Sequence, residues 1–219
     1  MSNNLTNNSR IKVKIKKGSK SVSSRRWLER QLNDPYVIAA KEDGYRSRSA
    51  YKLIELNNKF KFLYKGKTVI DLGAAPGGWS QVAAKIIGLP KSGKLVSVDI
   101  QDIIPIVGVS FINGNIMDEK IIETIKNKLE GQTDVVMSDM APSASGHRNT
   151  DQTRALLLAE LALDTAVQLL QKDGSFCCKL IRGKGEEEFV GTMRKYFSSI
   201  KRYKPKSSRK DSAEIFLIG

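Results

Sequence analysis

The sequence predicts an α/β protein with a mostly parallel sheet covered by helices on both faces. Three observations carry that expectation. From residue 67 onward, short apolar runs alternate with helical segments, the pattern of successive βα units. The runs are continuously apolar rather than alternating, as strands buried on both faces require. A glycine-rich turn, "DLGAAPGGWSQ" (71–81), follows the first strand, where doubly wound folds place a ligand.

The elements follow in order. Residues 1–24 form a polar, basic extension, and 25–219 form one domain. "SSRRWLERQLNDPY" (23–36) starts with a serine cap and a short helix that stops before Pro35. "RSRSAYKLIELNNKF" (46–60) is helical, capped by Ser47 or Ser49, with Ala50, Leu53, Ile54 and Phe60 on one stripe. "KTVIDLG" (67–73) is the first strand, and "GGWSQVAAKIIG" (77–88) is a helix closed by Gly88. "KLVSVDI" (94–100) and "VGVSFINGN" (107–115) hold strands. "DEKIIETIKNKLEG" (118–131) is a helix capped by Asp118 and stopped at Gly131. "TDVVMSDM" (133–140) is a strand, and residues 151–174 are a long helix ending at Gly174. "SFCCKLI" (175–181) is a strand and "GEEEFVGTMRKYF" (185–197) a helix. "IKRYKP" (200–205) and "SAEIFLIG" (212–219) are strands joined by a linker too short for a crossover helix, so that pair is antiparallel.

Charge narrows the partner. The chain carries 37 Lys and Arg against 23 Asp and Glu, a formal net charge of +14. The excess is clustered: residues 1–26 hold eight basic residues and no acid, and Lys201, Arg202, Lys204, Lys206, Arg209 and Lys210 form a second group. Two such clusters suit a polyphosphate, nucleic acid first. Taken alone, the first reads equally as a solvated tail. No apolar run reaches the roughly 20 residues that span a bilayer, and no secretory signal is visible. Cys177 and Cys178 are adjacent, unsuited to a mutual disulfide and without metal-ligand spacing, so they read as reduced core residues. The expectation is a cytoplasmic monomer without a metal; an acid-poor N-terminus leaves a mitochondrial address as the alternative.

The turn itself favours one class of ligand. Its spacing departs from G-x-G-x-x-G, and Asp71 at its entrance repels a pyrophosphate but suits a cationic ligand. Asp99, ending the next strand, can accept both hydroxyls of an adenosine ribose. An adenosine cofactor with a positive charge satisfies both.

"DLGAAPGGWSQ", "SDMAP" (138–142), "RSRSAYKL" (46–53) and "SAEIFLI" (212–218), in the spacing seen here, closely resemble the FtsJ/RrmJ-type ribosomal RNA 2′-O-methyltransferases, over about residues 35–219. The resemblance implies a Rossmann-like fold, a seven-stranded sheet with its last strand antiparallel, and S-adenosylmethionine as cofactor. It implies a catalytic tetrad of Lys52, Asp139, Lys179 and Glu214. A lysine is protonated at neutral pH, so a base at Lys179 requires burial and a neighbouring charge such as Lys52 to lower its pKa; the alternative is a lysine that steers the hydroxyl. For the cofactor it implies Gly77, Trp79, Asp99 and Asp139, with Asp71 and Gly73 shaping the pocket. One position departs: the family's usual Asp after "VGVSFING" is Asn115, which accepts a hydrogen bond without charge assistance. The implied substrate is an A-loop uridine of large-subunit rRNA in the assembling 50S particle. Arg46, Arg48, Lys204 and Arg209 are the residues placed along the RNA path. Three other functions compete: methylation of another RNA such as tRNA, an inactive RNA-binding assembly factor, and a small-molecule methyltransferase, the last disfavoured by the charge. His147 lacks partners for catalysis, and "RGKGEEEF" lacks the P-loop pattern.

Overall fold

A computed structural model describes residues 13–15 and 22–219. Apart from 13–15 and 22–24, the expected basic extension lies outside the described residues. The elements are α1 (Val22–Leu32), α2 (Pro35–Glu42), α3 (Ala50–Phe60), β1 (Thr68–Leu72), α4 (Gly78–Ile87), β2 (Lys94–Asp99), β3 (Val109–Asn113), α5 (Glu119–Leu129), β4 (Thr133–Ser138), α6 (Arg148–Leu169), β5 (Leu170–Ile181), α7 (Glu186–Met193), β6 (Lys201–Tyr203) and β7 (Glu214–Ile218).

The strands form one seven-stranded sheet in the order β3-β2-β1-β4-β5-β7-β6, a doubly wound, Rossmann-like arrangement. The first five are parallel, and β7 inserts between β5 and β6, antiparallel to both. The order reverses between β1 and β4, so the ends of those strands define the crevice in which such folds bind ligands.

The alternation of side chains along each strand divides the core in two. Ile70, Leu72, Val136, Cys178 and Leu180 face the side packed with α5, α6 and α7. Val69, Met137, Cys177 and Phe216 face α3 and α4. Cys177 and Cys178 therefore point to opposite faces, both buried and both free thiols.

The first helix stops before Pro35, as expected. Pro35 then opens a second helix: Asp34 caps α2 by accepting from the Tyr36 amide at 3.0 Å, and Pro35 occupies its first turn. Three local expectations need correction. Ser49 precedes α3 but does not cap it; its hydroxyl pairs with that of Ser47 at 2.6 Å. Gly131 is not where α5 stops, because Glu130 already adopts the left-handed conformation that ends it. Gly174 does not close α6. That helix ends at Leu169, Leu170 pairs with Thr133, and the register slips before Ser175 resumes the ladder. A side chain at Gly174 would meet the backbone oxygens of Gln171 and Asp134, so this glycine serves the irregular strand entry.

Phe176 is fully buried and stacks on Phe197, with centroids 5.8 Å apart. Phe176→Ala is expected to lower the unfolding free energy by about 3–5 kcal/mol in a urea titration, the usual cost of emptying such a site.

Candidate active site

Strand register assembles most of the site. Asp139 follows Ser138, which pairs with Cys178, so Asp139 comes level with Lys179 on the neighbouring strand. Lys179 lies opposite Phe216, and Glu214 is two residues from Phe216 on the same face. Three polar side chains from adjacent strands β4, β5 and β7 thus share one face of the sheet at one end. Lys52 arrives from α3, which packs on that face. Its ammonium is 2.9 Å from Glu214 Oε2 and 3.9 Å from Asp139 Oδ1. Lys179 Nζ lies 2.9 Å from the same Asp139 Oδ1 and donates to the Asp139 carbonyl at 2.5 Å. The structure therefore brings all four sequence-selected residues into one chain of alternating charge, Glu214–Lys52–Asp139–Lys179.

The chain is largely shielded from water: Lys52 and Glu214 are each 9% exposed. Burial pushes the Asp139 carboxyl up, but the charges of Lys179 and Lys52 outweigh it and hold the group below its ordinary value. Asp139 Oδ1 has no aligned hydrogen-bond donor, so it retains acceptor capacity beside the two ammonium groups. Phe216 lies beneath Lys52, its ring centroid 5.6 Å from Nζ. Trp79 packs on Phe216 in turn and donates its indole N–H to the Ser49 carbonyl at 2.9 Å, just ahead of α3.

Two recesses flank this chain. A cleft of about 500 Å³ is lined by Gly73, Ala75, Asp99, Ile100, Gln101, Asn115, Met117, Asp139 and Met140, among others. The second, about 370 Å³, is lined by Arg30, Arg48, Ser49, Lys52, Arg209, Asp211, Ser212 and Glu214. Asp139 belongs to the first, and Lys52 and Glu214 to the second. In the first cleft, Asp99 accepts from the amides of Ala75 (2.8 Å) and Gln101 (2.9 Å), which fixes its carboxylate at the rim. Asn115 Oδ1 accepts from the Met117 amide at 3.1 Å. Ile100 and Met117 line the cleft while 68% and 62% exposed.

Of the residues the sequence assigned to a cofactor, Gly73, Asp99, Asn115 and Asp139 line this cleft, and Asp71, Gly77 and Trp79 lie outside its lining. The turn's glycines also admit neighbouring protein. Gly73 has φ +76°, and a Cβ there would sit 2.6 Å from the Met140 side chain. Gly77 has φ +108°, and a Cβ there would sit 2.6 Å from the Arg46 guanidinium. Asp71 is fully buried, accepts from Ser80 Oγ at 2.6 Å and leaves its other oxygen unpartnered.

A family profile described as FtsJ-like methyltransferase matches residues 45–219. The chain belongs to the FtsJ-like methyltransferase family. Among similar curated proteins, the ribosomal RNA large subunit methyltransferase E of Rickettsia akari is 45% identical over 223 residues, covering 100% of this chain and 98% of the relative. The protein of the same name from Rickettsia felis is 44% identical over the same span. A solved structure described as a ribosomal RNA methyltransferase of Plasmodium falciparum superposes with a TM-score of 0.70 at 30% identity, covering 80% of this chain and 96% of that one. Membership in the FtsJ-like family accords with the sheet order.

The basic residues placed on an RNA path have varied surroundings in this family member. Arg48 is bonded to the Asp34 carboxylate and the Ser207 carbonyl. Arg209 lies 3.5 Å from the same Asp34 and donates to Gln31 at 3.2 Å. Lys204 donates to the carbonyls of Lys210 (3.2 Å) and Ser212 (2.6 Å). Arg46 donates to three backbone carbonyls. Sequence reasoning missed Asp34 and Glu55. Glu55, on α3, accepts from the amides of Lys206 (2.6 Å) and Ser207 (2.8 Å), fixing the β6–β7 loop beside Lys52. Asp34-Pro35 carried a legible helix-start signal; Glu55 resembled any solvent-facing helix acid.

Burial, opposed by the Ser80 hydrogen bond and aided by the charges of Asp139 and Asp99, pushes the Asp71 carboxyl from 3.8 up to about 7. The unfolded chain releases this proton first, so stability present below about pH 4 is lost as pH rises toward 7. Melting temperatures of Asp71→Asn and wild type are expected to diverge in the variant's favour from pH 4 to 8. Parallel curves would overturn this account of Asp71.

Proposed function

We propose that this chain transfers a methyl group from S-adenosylmethionine to a ribose 2′-hydroxyl of large-subunit rRNA, with the A-loop uridine in the assembling 50S particle as target. The observation that carries the reading is the Glu214–Lys52–Asp139–Lys179 chain, set against a cleft whose rim holds a fixed carboxylate. The names of the Rickettsia and Plasmodium relatives support rRNA as the substrate. The bacterial relatives favour the cytoplasm, and among described residues no helix is long and apolar enough to cross a membrane.

The donor set of the cleft fits that cofactor. Each Asp99 oxygen already accepts one amide and has a lone pair left for a ribose hydroxyl. Ile100 and Met117 offer exposed apolar surface for an adenine, with Asn115 to accept from its amino group. Asp139, at the tetrad end of the same cleft, supplies negative charge toward an ammonium or sulfonium. The bound cofactor supplies a methyl made electrophilic by its positively charged sulfur.

The protein's own groups do the rest. Lys179 and Lys52 converge on Asp139 Oδ1 and present N–H donors to the incoming 2′-hydroxyl oxygen, fixing where its free lone pair points. Glu214 holds Lys52, and Asp139 holds Lys179, so neither ammonium rotates away. As the oxygen takes the methyl, the S–C bond electrons would stay on the sulfur, and the hydroxyl proton, now strongly acidic, would pass to the Asp139 carboxylate, which Lys179 holds beside it. The recess beyond Lys52, with Arg30, Arg48 and Arg209 on its walls, receives the flanking phosphodiester. Lys204 and the other cationic residues of the β6–β7 loop extend that path.

Lys179→Ala is expected to lower turnover on rRNA about 10²-fold or more, the scale on which a misplaced reacting group slows transfer, while S-adenosylmethionine still binds in calorimetry. Near-wild-type turnover would sink the assignment. Ribose-methylation mapping of large-subunit rRNA with and without the protein tests the target; an unchanged map combined with retained ribosome binding would mark an inactive assembly factor. Asn115→Asp is expected to hold or tighten cofactor affinity, and a weaker complex would remove residue 115 from the adenine site.

A further inference from the structure

Arg46 differs from the other basic residues in what it holds. Its Nη1 donates to the carbonyls of Ile104 (2.5 Å) and Pro76 (3.4 Å), and its Nη2 to that of Pro105 (3.0 Å). Pro76 belongs to the glycine turn. Ile104 and Pro105 belong to the β2–β3 connection, whose first residues, Ile100 and Gln101, wall the cofactor cleft. Gly77 gives way to the guanidinium, since a Cβ there would press on Nη1. The backbone of Arg46 is held as well: its amide donates to Gln81 Oε1 at 2.8 Å, and Gln81 Nε2 donates to the Gly44 carbonyl at 3.1 Å. Residues 44–46 lead directly into the segment that enters α3 and carries Lys52.

We infer that Arg46 is a positioning residue of the cofactor cleft. It straps the wall at 100–108 to the glycine turn, and ties both to the segment that delivers the Lys52 helix. This rests on the cleft being the seat of S-adenosylmethionine. A planar guanidinium fork can span three carbonyls from two separate segments; an ammonium is a compact point charge and cannot keep that geometry. Charge alone, which places Arg46 on the RNA path, predicts the opposite dependence on side-chain shape.

Arg46→Lys separates the two roles, because it keeps the charge and loses the fork. A strap predicts S-adenosylmethionine binding weakened about 10-fold or more, from the loss of several carbonyl hydrogen bonds. It predicts a rise in cofactor KM larger than any fall in kcat, and faster amide hydrogen exchange over residues 100–108 in the cofactor-free protein. The salt slope of binding to a large-subunit rRNA fragment stays at the wild-type value in Arg46→Met, where a lost phosphate contact would reduce it by about 1. Unchanged cofactor affinity and exchange in Arg46→Lys, or a reduced salt slope in Arg46→Met, would overturn the inference. So would an unfolded Arg46→Lys protein, which would make the contact a requirement of the whole fold. If the wild-type protein fails to bind S-adenosylmethionine, the cofactor reading falls, and the exchange over 100–108 still decides whether Arg46 braces that segment.

Discussion

The site depends on a constraint that no single residue meets alone: four charged groups, shielded from water, each tolerable only because of the next. Taking an ion out of water costs several kcal/mol, and removing one partner of a buried pair leaves the other uncompensated. Glu214, Lys52, Asp139 and Lys179 alternate in sign and sum to zero, so the chain as a whole carries no net charge into the interior. That balance requires β4, β5, β7 and α3 to end at the same place. The strand ends are set by hydrogen-bonded register, whereas α3 must be brought to them by packing. Much of the remaining structure serves that delivery: Trp79 under Phe216 and Ser49, Asn57 bonding both ways to Leu63 after the helix, and Glu55 gripping the β6–β7 loop.

The glycine-rich turn acquires a second meaning from this geometry. Its lack of side chains suggests an open approach for a ligand, and Gly73 does line the cleft. Yet the space at Gly73 is also taken by Met140, next to Asp139, and the space at Gly77 by Arg46, upstream of Lys52. The turn is thus where elements leading to two of the four charged residues pack against the segment that follows β1. Small residues at this point let the charged chain and the larger cleft share one wall.

Most of the architecture was legible because it rests on local signals. Continuous apolar runs announce two-sided strands, Asp118 and Gly88 mark helix ends, and alternation along a strand places Glu214 on the face of Phe216. What stayed hidden depends on contacts far apart in sequence. Nothing local separates Arg46, which clasps carbonyls nearly 60 residues away, from Arg48, which pairs with Asp34 and Ser207. The end of α6 was misplaced because pairing with Thr133 draws Leu170 into the sheet before Gly174 is reached. Asp71, read as facing a cationic ligand, points into the interior toward Ser80, a matter of strand parity overriding its position beside the turn. The four charged positions were found by family resemblance; their residue types alone would have read as surface charges.

The two recesses have a kinetic consequence. Asp139 faces one and the Lys52–Glu214 pair faces the other, so the charged chain forms a partition between two separate mouths. Under the proposed function, a small cofactor and a large polyanion would enter from different sides without obstructing each other. Neither would have to arrive first, and the spent cofactor would have its own exit while the nucleic acid was still held. Partitioned in this way, the protein would be recharged without releasing a partner as large as a ribosomal particle.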